Sequence, residues 1–363
     1  MTCAKQDGAG FRVRSRRRDA GLRVPIFNQQ GEAMTGQQTI GRMYGSAPAT
    51  TFMGLPACSN LSRPEADAVL VGVPAATPYA SVGSYCADAP DAIRAVMPSM
   101  RPPFITMTSI LMARCFHHGC VSWTLETCPL AEDASENRAQ IREAVGAILN
   151  AGAVPLVLGG DDSVPIPLFE AFAGRGSYTV LQIDAHIDWR DDVDGERLGL
   201  SSTMRRASEM GHIGRIIQVG QRGVGSARPA DLADAKAAGV HFISAHQLHR
   251  EGLEPVLRLI EPGSELLITF DCDALDPAIM PAVIGRVPGG LSYWQAVDLL
   301  HGAADWARVA SFDLVEFMPA RDLDGTGALV AGRILATVTG IVARQAGSAA
   351  ESLPDPSDPS LGA

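Results

Sequence analysis

The chain has no CxxC pair among its seven cysteines, which are Cys3, Cys58, Cys86, Cys115, Cys120, Cys128 and Cys272. An odd, scattered set of this kind argues against a disulfide framework and gives no support to a Cys₄ zinc site. It fits reduced thiols and a cytoplasmic protein. Basic charge is also scarce. Thirty lysines and arginines face forty acids, a formal net charge of −10. A nucleic-acid surface needs the opposite balance, so no nucleic-acid partner is expected. No run of about 18 apolar residues occurs, so no membrane span is expected. Internal repeats and heptads are absent as well, which sets aside repeat architectures.

What is present is the material for a core. The 363 residues are 46% hydrophobic and 19% charged, which excludes disorder of the whole chain. The charge is uneven: residues 1–25 hold seven bases and two acids, so the acid excess lies in the remainder. No apolar stretch follows these arginines, which argues against a secretory or twin-arginine leader. Residues 1–50 read as a basic, partly disordered N-terminal arm. Residues 348–363, SAAESLPDPSDPSLGA, read as a disordered tail. A single α/β domain is expected over 51–347.

Within that span, compact apolar runs alternate with helical patterns. Strands are expected at Ala68–Gly72, Pro155–Leu158, Thr179–Ile183, Ile216–Val219, Val240–Ile243, Leu266–Phe270 and Ala310–Val315. Helices are expected at Glu136–Asn150, Ser292–His301 and Gly327–Ala343. In the first of these, Ile141, Ala144, Val145, Ile148 and Leu149 share a face. Such alternation implies a mainly parallel sheet covered by helices on both sides, with ligands at the carboxyl ends of the strands.

Three of those strand ends are acidic. Pro155–Leu158 is followed by Gly159-Gly160-Asp161-Asp162-Ser163. Thr179–Ile183 is followed by Asp184-Ala185-His186-Ile187-Asp188. Leu266–Phe270 is followed by Asp271-Cys272-Asp273-Ala274-Leu275-Asp276-Pro277. In extended chain, alternate residues share a face, so Asp184, His186 and Asp188 point together, as do Asp271 and Asp273. Neighbouring strands would gather five or six anionic or imidazole groups. Carboxylates so crowded stay charged only if neutralised, and divalent cations do that. Oxygen ligands with one nitrogen suit Mn²⁺ or related ions, and two ions sharing carboxylates hold a bridging hydroxide.

These segments resemble the ureohydrolase family of arginases, agmatinases and guanidino-acid hydrolases. The family pattern GGDHS, DAHxD, (S/T)xDxDxxDP, GG(L/I) and a late VE reads here as GGDDS (159–163), DAHID (184–188), TFDCDALDP (269–277), GGL (289–291) and Val315-Glu316. An agmatinase-like early segment is matched by Gly72-Val73-Pro74 and Ala89-Pro90-Asp91-Ala92-Ile93-Arg94. The resemblance implies a three-layer α/β/α sandwich of arginase type in trimers or hexamers, and a manganese- or nickel-dependent hydrolase of guanidino compounds. It implies that Asp184 and Asp271 bridge two divalent ions, with His186 and Asp273 completing one site and Asp162 and Asp188 the other. Hydroxide attack on the guanidinium carbon would then give a tetrahedral intermediate that collapses to urea and an amine. Glu316 would pair with the guanidinium and Asp188 would serve catalysis. Trp189 is a candidate substrate-binding residue that could stack on the guanidino plane, and it reads equally well as a buried wedge.

The chain departs from the family in three places. Asp162 stands where the family has a metal-binding histidine, which would weaken that metal site. Leu200 aligns with a histidine thought to shuttle protons. Pro281–Val287 replaces a small glycine-rich run and carries Arg286. Arg286 and Arg190 are expected to face solvent or to pair with Asp191, Asp192, Asp194 or Glu196. Two functions follow. The chain is an amidinohydrolase for an agmatine, guanidino-acid, substituted guanidine or biguanide substrate. Alternatively, it is a weakly active or non-catalytic subunit of a hetero-oligomer with a catalytic paralogue, as the resemblance allows for guanidine- and metformin-type hydrolases. His117, His118, His212, His241, His246, His249 and His301 lack ligand spacing and read as core or surface histidines.

Overall fold

The computed structural model describes residues 51–97 and 127–351, with short strand segments at 26–27, 33–34, 46–47, 99–100 and 121–124. Nearly all of the expected N-terminal arm, most of the expected tail, and Cys3, Cys115, Cys120, His117 and His118 lie outside the described residues. Met1–Tyr44 forms a separate unit, and its described part is an antiparallel pair of Ile26–Phe27 with Ala33–Met34. The second unit, Gly45–Ala363, contains the main sheet.

That sheet has nine strands, and every pairing in it is parallel. In chain order they are β1 (Ala57–Cys58), β2 (Ala68–Gly72), β3 (Val121–Thr124), β4 (Val154–Leu158), β5 (Tyr178–Ile183), β6 (Ile213–Val219), β7 (His241–Ile243), β8 (Glu265–Asp271) and β9 (Arg308–Val315). All seven expected strands are present within a few residues. Of the two additional ones, β1 has only two residues and β3, VSWT, is not a continuous apolar run. In space the order is β7-β6-β5-β8-β9-β4-β2-β3-β1. β5, β8, β9 and β4 are therefore consecutive neighbours. The three acidic strand ends and the Val315-Glu316 end meet at one edge.

Two cores sandwich the sheet, because alternate residues of each strand face opposite sides. Leu156, Leu158, Leu181, Ile183, Ile268 and Phe270 pack on one side with Tyr293–Trp306 and Thr326–Glu351. Val69, Val71, Val157, Val180 and Leu267 pack on the other with the helix Ala134–Asn150. The architecture is thus the expected three-layer α/β/α sandwich. Pro155 sits within β4, yet β4 pairs with β9 only from Leu156 onward, so its missing N–H breaks no bond on that side. Helix Tyr293–Trp306 starts with a capping box, Ser292 accepting from Gln295 N–H and the Gln295 side chain accepting from Ser292 N–H.

The last helix corrects the reading of hydropathy. Thr326–Gly347 is long and apolar enough to cross a membrane by length and composition, and 78% of its apolar window is buried inside the protein. Ala331, Ile334, Leu335, Val338 and Ile341 fill the first core, so its apolarity is accounted for by packing. The helix also continues through Glu351, into the stretch expected to be a tail.

One turn joins fold and site. Gly159 has φ +97°, and a Cβ there would stand 2.7 Å from Pro90 Cδ and 2.9 Å from the Val73 carbonyl oxygen. Backbone on one side and a rigid ring on the other leave no room to yield. Gly159→Ala is expected to cost about 1–3 kcal/mol or more, read as a lower urea midpoint at unchanged slope.

Candidate active site

Backbone bonds at the strand ends set the frame. Gly159 N–H donates to Leu314 O at 2.8 Å, Glu316 N–H to Gly160 O at 3.0 Å, and Asp184 N–H to Val219 O at 2.8 Å. Asp184 therefore continues β5, Asp271 closes β8, and Glu316 leaves β9 beside the Gly159-Gly160 turn. Glu316 and Asp188 hold φ values of 64° and 42°. Non-glycine residues in this left-handed region are uncommon, and such strain gathers at functional sites.

Two tight ligand groups result. Asp184, His186 and Asp273 bring ligand atoms within 4.8 Å of one another, and so do Asp162, Asp184 and Asp271. Only Asp184 belongs to both, whereas the resemblance made Asp271 a second bridge. Asp188 lies outside both groups. Its Oδ2 accepts from the Gln182 amide at 2.8 Å, and the same amide nitrogen donates to Asp184 Oδ2 at 2.7 Å. Gln182 is in turn held by Gln218, whose amide donates to Gln182 Oε1 and to Ile187 O. His186 Nδ1 lies 3.1 Å from Asp273 Oδ2 and 3.4 Å from Asp184 Oδ1.

The electrostatics are those of a site built for cations. Burial, reinforced by neighbouring carboxylates, raises Asp162, Asp188 and Asp271 well above the usual range and raises Asp184 as well. Burial opposes the charge on His186, but Asp184 and Asp273 push it up to about 12. Both carboxylate oxygens of Asp162 are buried without a hydrogen-bond partner. An orphaned buried carboxylate facing two others fits a bound divalent ion. The donor set fits too: three acids in one group, two acids and an imidazole in the other.

Several contributors have roles that the motifs did not mark. Half-buried Arg222 donates to the carbonyl oxygens of Asp273 (2.6 Å), Leu275 (3.2 Å), Val287 (2.8 Å) and Gly220 (3.2 Å). It pins three loops and supplies fixed positive charge beside the acids. Asp276 Oδ2 accepts from Gly289 and Gly290 N–H, and a Cβ on Gly290 would strike the Leu275–Asp276 backbone at 2.5 Å. The GGL segment is thus a packing requirement of the ligand loop. Asp313 is fully buried, with Oδ1 accepting from Thr269 Oγ1 at 2.7 Å and Oδ2 unpartnered. Burial raises it to about 8. Its signal was a charged residue inside a strand buried on both faces, as Gln182 and Gln218 are polar residues in such strands.

Glu316 is buried. Its Oε1 accepts from Asp162 N–H at 2.9 Å, and both its oxygens lie 2.7 Å from the Tyr85 hydroxyl. Burial and Asp161 raise it to about 8, against these donors. Asp161 is bound instead to Ser163, through both N–H and hydroxyl.

Three expectations are corrected or refined. Trp189 is not a stacking platform: it is 2% exposed, lies in the second core and donates from Nε1 to Asp234 at 2.8 Å. One residue beyond Asp188 it points away from the acids, and so it is the buried wedge. Arg190 pairs with Asp231 at 3.6 Å, not with any of the four acids expected. Arg286 neither enters the site nor pairs with an acid, and donates to Pro281 O at 2.6 Å. Leu200 opens a short 3₁₀ turn, Leu200–Ser202, beside the Tyr79 hydroxyl, which accepts from Ser201 N–H at 3.3 Å. Cys58, Cys86, Cys128 and Cys272 are free thiols. Among the described residues, no histidine besides His186 belongs to a ligand group.

Residues 66–340 match the family described as the Arginase family. The chain belongs to the arginase family. It is 38% identical over 189 residues to N(1)-aminopropylagmatine ureohydrolase of Thermus thermophilus, covering 51% of this chain and 62% of that protein. It is 33% identical over 202 residues to the mitochondrial guanidino acid hydrolase of Homo sapiens, covering 54% and 57%. The aligned stretch thus spans less than two thirds of the length of either relative. Among solved structures, proclavaminate amidino hydrolase from Streptomyces clavuligerus superposes with a TM-score of 0.69 at 25% identity, covering 83% of this chain and 98% of that one. The arginase-family core accounts for the sheet order and the acidic edge.

Two outcomes follow. Gln182→Leu removes the amide that orients Asp184 and Asp188, and should weaken Mn²⁺ binding about 10–100-fold in calorimetric titration. Asp313 has a folded-state pKa above its unfolded value, so its stabilising effect is present below about pH 4 and lost as pH rises through about 8. Raised Glu316 and His186 act in the same direction. In the presence of chelator, the melting temperature should fall between pH 5 and pH 8, and Asp313→Asn should reduce that fall.

Proposed function

We propose that the chain is a metal-dependent amidinohydrolase that cleaves a C–N bond of a guanidino compound, giving urea or a urea derivative and an amine. The observation that carries this reading is the pair of ligand groups joined through Asp184 at four adjacent strand ends. His186, Asp184 and Asp273 would hold one divalent ion, Mn²⁺ or Ni²⁺, and Asp162, Asp184 and Asp271 the other. Such ions polarise a C=N or C=O group and make water acidic enough to react near neutral pH.

The chain's own residues supply the rest. Gln182 fixes the Asp184 and Asp188 carboxylates toward the site. Asp188, held beside Asp184 by the same Gln182 amide, would take a proton from the attacking water and pass it to the departing amine. Glu316 presents a buried carboxylate to the planar guanidinium, a pairing strengthened by low dielectric and fork geometry. The related ureohydrolase and guanidino acid hydrolase carry substrates of this class in their names, which supports a small guanidino substrate here.

A second reading rests on Asp162. With a carboxylate in place of an imidazole, the second ligand group is all oxygen and binds late transition metals less selectively. Leu200 offers no proton relay, a loss of about 10²–10⁴-fold in rate where such a relay operates. On this reading the chain pairs with a catalytic paralogue in a hetero-oligomer. The purified chain should hold close to two Mn²⁺ or Ni²⁺ per protomer and release urea from at least one compound in a guanidino panel. Asp184→Asn should abolish both. Metal-free, inactive protein that gains activity only with a GGDHS-bearing paralogue would establish the second reading instead.

A further inference from the structure

The carboxylate assigned to the guanidinium is already engaged. Tyr85 Oη lies 2.7 Å from Glu316 Oε1 and 2.7 Å from Oε2. An oxygen equidistant from both carboxylate oxygens lies in the plane that bisects the group, within reach of both acceptors. That is where a planar guanidinium must lie to donate two parallel N–H bonds. The two occupants exclude each other.

The pair is asymmetric in mobility. Glu316 is fixed: it is buried, its N–H is bound to Gly160 O, and Oε1 also accepts from Asp162 N–H. Tyr85 is partly exposed and follows a loop whose tip, Ala80–Gly83, is exposed, with Gly83 at φ +67°. Behind it the chain is anchored by buried Cys86. The ring belongs to neither core cluster. Nothing in the GGDDS or VE segments signals this contact, because Tyr85 comes from a loop between two other motif segments.

We infer that Tyr85 is a specificity-determining residue that competes with substrate for the Glu316 carboxylate. A guanidinium engages Glu316 only by displacing the phenol. Cations without an N–H donor, which cannot hydrogen-bond to either oxygen, gain little from its removal. The inference rests on the reading that the site takes guanidino compounds, and binding can be measured separately from turnover.

The test is calorimetric binding of guanidinium chloride at millimolar concentration to the Mn²⁺-loaded full chain, with tetramethylammonium, which has no N–H donor, as the control. Wild type, Tyr85→Phe and Tyr85→Ala are compared. Removing a hydrogen bond to a charged acceptor predicts about tenfold tighter guanidinium binding in both variants. The tetramethylammonium affinity should change less than about twofold, and metal content should not change. Tyr85→Phe keeps the ring and decides the matter if Tyr85→Ala does not fold. Guanidinium affinities within about twofold of wild type, weaker in the variants, or undetectable in all three would overturn the inference. Tighter binding without urea release from any compound would leave Tyr85's role standing and remove the proposed activity. Urea release without a binding shift would do the reverse.

Discussion

Buried carboxylates repel one another, and this protein holds Asp162, Asp184, Asp271 and Asp273 together at the edge of one sheet. The rest of the structure is arranged around tolerating that repulsion. Arg222 contributes positive charge and ties three loops by their carbonyls. Gln182 donates to Asp184 and Asp188, and Gln218 holds Gln182 from behind. Protonation of raised groups supplies the remainder when no cation is present, and a divalent ion replaces those protons when one binds. The neighbouring strands are buried, and polar side chains they carry beneath the cluster bond to one another: Gln218 to Gln182, and Thr269 to Asp313.

The fold was largely legible in the sequence. Short apolar runs at regular intervals predicted seven of the nine strands, since strands buried on both faces leave continuous aliphatic signatures. The acidic segments were equally plain, because each begins where a run ends. Two things could not be read. Strand order is a property of space, and the adjacency of β5, β8, β9 and β4 comes from a crossover between β4 and β5 that no local pattern records. The direction of a side chain one residue past a motif was also hidden. Trp189 follows Asp188, whose left-handed backbone turns the chain, so the tryptophan goes into the core.

Residues that act on the site through other residues were the least visible. Gln182, Gln218 and Asp313 lie inside apolar strands, where a single polar letter reads as noise. Tyr85 lies in a loop of small residues. Each is identified only by its partners, and several of these are distant in sequence: Tyr85 and Glu316 are 231 residues apart, and Thr269 and Asp313 are 44 apart. Long separations of this kind are what a packed α/β sheet creates and what periodicity cannot report.

The sheet order has a consequence for the order of synthesis. β4 and β5 leave the ribosome early, yet the two positions between them belong to β8 and β9. Until Asp271 and Glu316 have emerged, the facing edges of β4 and β5 lack the partners they have in the finished sheet, and Asp162 is without Asp271 and Glu316 nearby. The two ligand groups are therefore completed late in the emergence of the chain. The acids of the first two motifs meet those of the last two only when the sheet closes between them.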